Sequence, residues 1–156
     1  MAMRQAKGSL KEHLVEVRSS NVHGKGVFAK RAIRSGAVLG AYAGRRYTLD
    51  EVTKAEWNNA LTYFFELSDG TFIDGETGGN PTRHLNHACE PNCEAYEARD
   101  EDGDLTVKFR TTRSIRAGEE IFLDYCLSID DQDDSSDYPC RCGTRSCRGT
   151  MVGQAE

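Results

Sequence analysis

Short runs in which apolar and polar residues alternate recur along the chain and predict β-strands. The clearest run is residues 105–111, where Leu105, Val107 and Phe109 alternate with threonine and basic residues. Because successive side chains of a strand point to opposite faces, one face of this strand is expected to be buried and the other wet. Residues 14–18 form a shorter stretch that alternates from Val15 onward and predict a strand near the start of the chain.

Clusters of glycine, aspartate, asparagine and serine separate further apolar runs of strand length. Ser68-Asp69-Gly70 lies between two such runs and indicates a hairpin. The predicted strands are residues 14–18, 27–29, 37–43, 63–67, 71–73, 94–99, 105–111 and 120–125.

Helical signals are few. Thr48 and Glu51 have the spacing of a capping box, which predicts a short helix over residues 49–58. Asn80 followed by Pro81 predicts one helical turn through residue 85. We therefore expect a mainly β fold, with no internal repeat and no second domain.

Length and composition restrict the class of protein. A chain of 156 residues has room for one modest core. No run approaches the roughly 20 apolar residues of a membrane helix, so no membrane partner is expected. Residues 1–11 are polar and basic without an apolar stretch, which favours an intracellular protein over a secreted one. The net charge of −5 predicts no direct binding of nucleic acid.

Acidic residues are concentrated at 130–137, where five of eight residues carry a carboxylate. Such a run is a solvated linker, a patch that steers a basic peptide, or both. We divide the chain into a flexible arm (1–12), a main domain (13–128), an acidic linker (129–137) and a C-terminal cysteine-rich segment (138–156).

Three of the six cysteines form a tight cluster, Cys140-x-Cys142-x4-Cys147. Without a secretory context, a metal is a better explanation of this spacing than disulfides, and the alternative is a set of free thiols on a flexible tail. A tetrahedral zinc site needs a fourth ligand. Cys93 and Cys126 are expected to be buried thiols rather than metal ligands or nucleophiles.

Three segments resemble the signatures of one enzyme family. Residues 83–93 resemble the Asn-His-Ser-Cys-x-Pro-Asn signature of SET-domain protein methyltransferases, residues 118–125 their Gly-Glu-Glu-Leu-x-Tyr-Asp-Tyr segment, and residues 140–147 their post-SET zinc motif. The resemblance extends from about residue 15 to residue 151. It implies a SET fold of small curved sheets, with a C-terminal pseudoknot and a zinc-bound tail.

The resemblance also implies a function. SET-domain enzymes transfer a methyl group from S-adenosylmethionine to a protein lysine, and histone tails are the expected substrate, although another basic protein would also suit. No pre-SET region occurs, so the chain resembles compact bacterial or viral members or an excised catalytic domain. A nuclear or chromatin location is expected in a eukaryote, and a cytoplasmic or host-directed one otherwise. The oligomeric state stays open.

Site residues follow from the matched positions. Cys89 matches the fourth zinc ligand, beside Cys140, Cys142 and Cys147. Tyr125 matches the catalytic tyrosine, and Tyr42 a second active-site tyrosine; the alternative for each is a core aromatic residue with a satisfied hydroxyl. The positions that match the cofactor site are Lys25, Gly26, Val27, Phe28, Arg83, Asn86, His87, Tyr125 and Met151.

Leu123 is a departure from the family, which has Tyr or Phe at this position beside Phe122 in the substrate channel. A hydroxyl there limits the number of methyl groups, so Leu123 predicts room for di- or trimethylation. The same change is compatible with a weakened site, which leaves a catalytically silent SET module that binds a peptide or partner as the alternative function. A small zinc-stabilised structural domain without a cofactor is a third possibility.

Overall fold

The structure is a computed structural model that describes residues 5–54, 63–126 and 134–153. The described residues form twelve short strands and one α-helix. These are β1 (Gln5–Ala6), β2 (Ser9–Leu10), β3 (Val15–Ser19), β4 (Lys25–Ala29), β5 (Val38–Ala41), β6 (Gly44–Tyr47), α1 (Leu49–Lys54), β7 (Phe64–Glu66), β8 (Phe72–Asp74), β9 (Asn86–His87), β10 (Cys93–Arg99), β11 (Leu105–Thr111) and β12 (Glu120–Leu123). The fold is mainly β, as predicted.

The chain folds into two compact units, each built from segments that are distant in sequence. The first unit contains Met1–Glu12, Val38–Arg83 and Ala95–Phe109. The second unit contains His13–Ala37, His84–Glu94 and Arg110–Glu156.

An antiparallel sheet of the first unit has the strand order β1-β6-β8-β7. The predicted hairpin is confirmed, because β7 pairs with β8 from Phe64↔Asp74 to Glu66↔Phe72. Three aromatic rings pack in the core of this unit: Tyr42 meets Phe65 at a centroid distance of 4.7 Å, and Phe65 meets Phe109 at 6.0 Å. Aromatic contacts of this kind add to the free energy gained from burial.

Residues 5–10, predicted as part of a flexible arm, instead form strands β1 and β2. In β1, Gln5 pairs with Arg45, and in β2, Ser9 pairs with Ala41. Ala6 is fully buried, so the segment contributes to the core as well as to the sheets. The prediction was wrong because backbone hydrogen bonds, which a polar sequence does not reveal, hold these two-residue strands.

The second unit is organised around the sheet β3-β4-β12-β9. Strand β12 pairs antiparallel with β4 and parallel with β9, in the register Phe122↔Asn86 and Leu123↔His87. Ile121 in β12 is completely buried, which anchors this central strand in the core. The sheet therefore sets the residues that follow β12 beside those of β9.

An internal repeat exists in the second unit, contrary to our expectation. The pattern Arg-x-Ile-Arg-x-Gly occurs at residues 31–36 and again at 113–118. Ile33 and Ile115 pair across the repeat, each N–H donating to the other's carbonyl at 2.8 Å. Both glycines lie in the left-handed region, with φ of 82° at Gly36 and 87° at Gly118. The two loops are thus related by an approximate twofold axis.

The predicted helix begins as expected at α1, where the Thr48 hydroxyl accepts the Glu51 N–H at 3.2 Å and the Glu51 carboxylate accepts the Thr48 N–H at 3.1 Å. Residues 55–58 of that prediction, like 129–133 of the acidic linker, lie outside the described residues. The turn after Asn80 is a 3₁₀ helix, Pro81–His84. None of the helices in the described ranges is long and apolar enough to cross a membrane.

Candidate active site and metal centre

Four cysteine sulfurs meet in the second unit. The Sγ atoms of Cys89, Cys140, Cys142 and Cys147 all lie within 4.8 Å of one another, and the Cys89 and Cys140 sulfurs are 3.6 Å apart. A tetrahedral zinc ion with Zn–S bonds of about 2.3 Å requires sulfur pairs about 3.8 Å apart. The predicted ligand set is therefore brought together at a spacing that fits zinc.

Each of the four sulfurs also accepts a backbone N–H. The pairs are Arg148 N to Cys89 Sγ (3.3 Å), Cys142 N to Cys140 Sγ (3.4 Å), Cys89 N to Cys142 Sγ (3.5 Å) and Gly149 N to Cys147 Sγ (3.4 Å). Donors of this kind favour thiolates and complete the surroundings of a metal. The chain thus supplies both the ligands and the hydrogen bonds that four thiolates around one cation need.

Burial opposes ionisation of thiols when no cation is near. It raises the pKa of Cys140 to about 12 and raises the pKa of Cys89. Burial also acts on Cys142, but hydrogen bonds from the Cys89 N–H and Thr144 outweigh it and lower the pKa of Cys142 to about 6. A divalent cation would favour the thiolate form at every position of the cluster.

The remaining cysteines lie outside the cluster. Cys93 is 1% exposed, and burial raises its pKa to about 12, so it is an inert core thiol. The expectation that Cys126 is buried was wrong: it is exposed, where the chain leaves β12 with an unusual positive φ of 45°. Gly153 packs against it, since a Cβ on Gly153 would lie 3.1 Å from the Cys126 Cα.

Asn86 connects β9 to the glycine loop before β4. Its side-chain amide donates to the carbonyls of His23 and Lys25, both at 3.0 Å, and to the Glu120 carboxylate at 2.9 Å. The other Glu120 oxygen accepts the Ser20 hydroxyl at 2.7 Å. The loop and Asn86, both predicted for the cofactor, are thus held together by a polar network that Glu120 completes.

Gly26 is required in this network. A Cβ at Gly26 would lie 2.3 Å from the Glu120 carboxylate and 3.2 Å from the Asn86 amide nitrogen. Of the other predicted cofactor residues, Val27 is buried and Phe28 is half-buried, with the Arg18 guanidinium 4.4 Å above its ring. The loop therefore presents backbone rather than side-chain groups near Asn86.

Tyr125 follows β12 and is fixed through both its backbone and its hydroxyl. The Tyr125 N–H donates to His87 Nδ1 at 2.9 Å, and the hydroxyl donates to the Leu85 carbonyl. The His87 ring packs edge to face on the Tyr125 ring, with centroids 5.4 Å apart. Burial lowers the pKa of His87, which keeps the ring neutral and Nδ1 free to accept.

Arg148 connects the cysteine-rich tail to the residue before Tyr125. Its guanidinium makes two hydrogen bonds to the Asp124 carboxylate, of 2.8 and 3.0 Å. Burial raises the pKa of Asp124, but the hydrogen bonds from Arg148 outweigh it, so the pKa lies below its ordinary value. This bidentate pair, together with the Arg148 N–H on Cys89, fixes the tail against the end of β12.

Asn92 occupies a structural position beside β12. Its side-chain nitrogen donates to the Glu120 carbonyl at 2.9 Å, and its side-chain oxygen accepts the Phe122 N–H at 2.8 Å. The residue is 2% exposed, so neither backbone group has water as an alternative partner. A single amide side chain therefore takes the place of a neighbouring strand along this part of β12.

We expect Asn92→Ala to lower the free energy of unfolding by about 2–4 kcal/mol, because two buried backbone groups lose their partner. Urea unfolding of the zinc-loaded chain measures this change. The exposed Asn21 offers a matched control, since Asn21→Ala removes the same atoms from the surface and should change stability by less than about 0.5 kcal/mol. Equal effects of the two substitutions would contradict the structural role of Asn92.

Two predicted site residues belong to the first unit. Tyr42 is buried, and its hydroxyl donates to the Tyr63 carbonyl at 2.6 Å. A Cβ on Gly75 would lie 2.1 Å from this hydroxyl, so glycine is needed there. Arg83 is half-buried, and its backbone N–H donates to the Asn80 carbonyl at 3.1 Å. The catalytic role of Tyr42 and the cofactor role of Arg83 stay predictions.

The predicted channel residues lie in β12 itself. Leu123 is 4% exposed, and its carbonyl accepts the Ala88 N–H at 2.9 Å, whereas Phe122 is half-buried. Met151 is half-buried in the tail, and its N–H donates to the Tyr138 carbonyl at 2.8 Å. The contribution of these three residues to a channel stays a prediction.

Comparison with known families decides the assignment. The family described as SET domain matches residues 24–126, which is more than half of the chain. The chain belongs to the SET-domain family. The match includes the glycine loop, the Asn86-His87 strand and Tyr125, while the cysteine-rich tail lies beyond it.

Similar proteins share this SET domain within much longer chains. Histone-lysine N-methyltransferase 2B of Homo sapiens is 36% identical over 152 residues, which are 95% of this chain and 6% of that protein. Histone-lysine N-methyltransferase Su(var)3-9 of Drosophila melanogaster is 33% identical over 161 residues, covering 88% of this chain and 25% of that protein. The chain therefore spans a small fraction of these relatives.

A solved structure shares the fold. The crystal structure of Arabidopsis thaliana SUVH6 in complex with SAM superposes with a TM-score of 0.75 at 23% identity, covering 88% of this chain and 33% of that one. The likeness confirms the predicted SET fold.

Several residues of the SET domain site were absent from the sequence prediction. Glu120 and Asp124 flank the predicted channel residues, but their partners are 100 and 24 residues away in sequence. Arg148 directly follows the zinc ligand Cys147. This position next to the metal site was the one sequence feature that could have indicated a residue fixing the tail.

Proposed function

We propose that this SET domain is a protein-lysine N-methyltransferase that uses S-adenosylmethionine and acts on histone tails. The observation that carries the proposal is the position of Tyr125, held by His87 and Leu85 directly after the strand that pairs with Asn86 and His87. Relatives over nearly the whole chain carry the name histone-lysine N-methyltransferase, which supports the reaction and the substrate class.

The glycine loop and Asn86 are the proposed position of the cofactor, supported by the hydrogen bonds that hold them together. Bound S-adenosylmethionine would supply the electrophilic methyl group. The loop backbone at Lys25 and Gly26 and the Asn86-His87 strand would hold S-adenosylmethionine. The Asn86 side-chain amide already joins this strand to the loop, by donating to the Lys25 carbonyl. Arg83 and Met151 are further candidates for this role.

Tyr125 would orient the substrate amine. Lysine has an unperturbed pKa of about 10.4, so the ammonium must lose a proton before it can act as a nucleophile. Placing the lysine in a dry apolar channel lowers its pKa, and the tyrosine hydroxyl then positions the neutral amine. The Leu85 carbonyl fixes the direction of that hydroxyl through the hydrogen bond it accepts. Tyr42 is the candidate for a second orienting hydroxyl.

Zinc would act as a structural cross-link. The four cysteines of the cluster would hold it, and its binding would fix the tail through Arg148 to Asp124, next to Tyr125. Because a zinc ion with four protein ligands has no open position for substrate, it would take no part in the methyl transfer itself.

The test of the proposal is methyl transfer from labelled S-adenosylmethionine to a panel of basic proteins that includes the four core histones. Labelled histone, with no label on equally basic controls, is the expected result. Transfer only to a non-histone protein would keep the reaction and overturn the substrate. Cofactor binding without transfer to any protein would overturn the reaction and favour a silent SET module.

The multiplicity of methylation gives a separate prediction. Leu123 leaves more room than an aromatic residue and has no hydroxyl, so we propose di- and trimethylated products. Leu123→Tyr should reduce the rate of the second methyl transfer by about tenfold or more, as measured by mass spectrometry of a histone peptide.

Leu123→Phe is the matched control, because it adds the ring without the hydroxyl. This variant should keep the dimethylated product, and thermal melting checks that either ring is accommodated at this buried position. The same product distribution for both variants would contradict a role for the hydroxyl.

A further inference from the structure

The two copies of the Arg-x-Ile-Arg-x-Gly loop line an open groove of roughly 860 Å³ on the second unit. Ile33 and Ile115, which pair with each other across the approximate twofold axis, form the floor of the groove. Arg34, Arg113 and Arg116 line its walls, and all three are exposed. The groove is thus a cationic surface built by the repeat.

Basic residues are concentrated in the two stretches of sequence that carry the loops of this groove. The chain has no Asp or Glu from residue 17 to 49 or from residue 105 to 118, yet these two stretches hold eleven of its 20 Lys and Arg residues. Both loops of the repeat lie inside them. Because a net charge averages over the whole chain, the value of −5 is compatible with a locally basic groove.

Among the described residues, one groove arginine forms an ion pair, and the same carboxylate accepts the Arg116 backbone N–H at 3.0 Å. Arg113 forms a 3.2 Å ion pair with Glu119, the single carboxylate in the groove lining. Within the described ranges, no carboxylate lies at ion-pair distance from Arg34 or Arg116. Two guanidinium groups, one from each copy of the repeat, are thus available for an anion.

We propose that this groove binds the phosphate backbone of double-stranded DNA. A guanidinium offers paired N–H donors that match two oxygens of one phosphate. The pseudo-twofold arrangement presents one such group from each loop. Neutralisation of phosphates by Lys and Arg supplies essentially all of the free energy of sequence-independent DNA binding.

The lining of the groove favours duplex DNA over other anionic partners. Among the described residues that line it, none is aromatic, whereas proteins that hold single strands stack bases on aromatic rings. The isoleucines of the floor are nearly completely buried, so the groove lacks the exposed pocket that a peptide anchor would fill. The groove arginines match a backbone that carries regularly spaced negative charges.

Fluorescence anisotropy of a labelled duplex of about 20 base pairs, titrated with the zinc-loaded chain without S-adenosylmethionine, tests this site. The dissociation constant at physiological salt is expected between about 10⁻⁴ and 10⁻⁶ M, with affinity falling as salt rises. Arg34→Gln combined with Arg116→Gln should weaken binding about tenfold and reduce the salt slope by about 2, because two phosphates are no longer neutralised by arginine.

The matched control replaces two exposed lysines outside the groove, Lys7→Gln with Lys11→Gln, and therefore changes net charge by the same amount. This pair should leave the affinity within about twofold of the unchanged chain. Equal losses in both pairs would overturn a local site, since they would indicate a diffuse charge effect.

Two further outcomes would also overturn the proposal. One is the absence of DNA binding by the unchanged chain, and the other is tighter binding of poly-glutamate than of the duplex, which would assign the groove to an acidic protein. Methyl transfer to a free histone peptide should be unchanged in Arg34→Gln/Arg116→Gln. DNA binding is measured without this reaction, so failure of the DNA site and failure of the proposed enzyme activity are distinguishable.

Discussion

Tyr125→Phe is expected to lower the rate of methyl transfer by about 10²-fold, because it removes a single oriented hydroxyl from the site of reaction. The ring remains and can still pack on His87, so the backbone hydrogen bond from Tyr125 to His87 Nδ1 should persist. The loss should therefore appear in kcat rather than in the affinity for cofactor. Initial rates with labelled S-adenosylmethionine and a histone peptide measure it.

Tyr47→Phe is the matched control for this substitution. Tyr47 lies in β6 of the first unit, where its ring packs against Phe64 with centroids 5.9 Å apart. Loss of its hydroxyl should leave kcat within about twofold, as expected for a position that does not touch the reacting groups. A Tyr125→Phe variant that keeps more than half of the activity would exclude the hydroxyl from the reaction.

Cys140→Ser is expected to release zinc and to abolish methyl transfer. A structural zinc ion contributes about 10–16 kcal/mol of apparent binding free energy, and loss of one thiolate removes much of it. Zinc content per chain, measured after dialysis, should fall from about one to near zero. The tail should then become sensitive to trypsin at Arg141, Arg145 and Arg148, because it loses its attachment to Cys89.

The control for this experiment is Cys126→Ser, which alters an exposed thiol outside the cluster. It should keep its zinc and its resistance to trypsin. Retention of one zinc per chain by Cys140→Ser would contradict the four-cysteine site. Zinc loss with full activity would instead separate the metal from catalysis and overturn the role proposed for the tail.

The sequence predicted those elements whose own residues carry the signal. Apolar and polar residues alternate from Leu105 to Arg110 in β11, and a recognisable turn joins β7 to β8, so both elements were found. The expected wet face of β11 was wrong at Thr106, which is buried like its neighbour Val107. Strand β6 was missed because Arg45 and Arg46 interrupt any apolar pattern. Its strand character comes from backbone pairing with β1 and β8, which depends on the fold as a whole.

The residues of the candidate site likewise include some that a local sequence pattern predicts and others that it does not. Cysteine spacing indicates a metal locally, since three ligands lie within eight residues, whereas Cys89 required the family resemblance. The contacts of Glu120 and Arg148 join segments that are distant in the chain and have no local pattern. The repeat was detectable, because four identical residues recur at the same spacing, but it lies between strands where periodicity is weak.

The double attachment of Arg148 has a thermodynamic consequence. One residue donates its N–H to a zinc ligand and its guanidinium to Asp124, so metal binding and order around Tyr125 share one free-energy cycle. Linkage between two binding events is reciprocal. If zinc raises the affinity for a ligand of the Tyr125 segment by some factor, that ligand raises the affinity for zinc by the same factor. A cell that limits zinc would thereby set the fraction of this chain that binds the ligand.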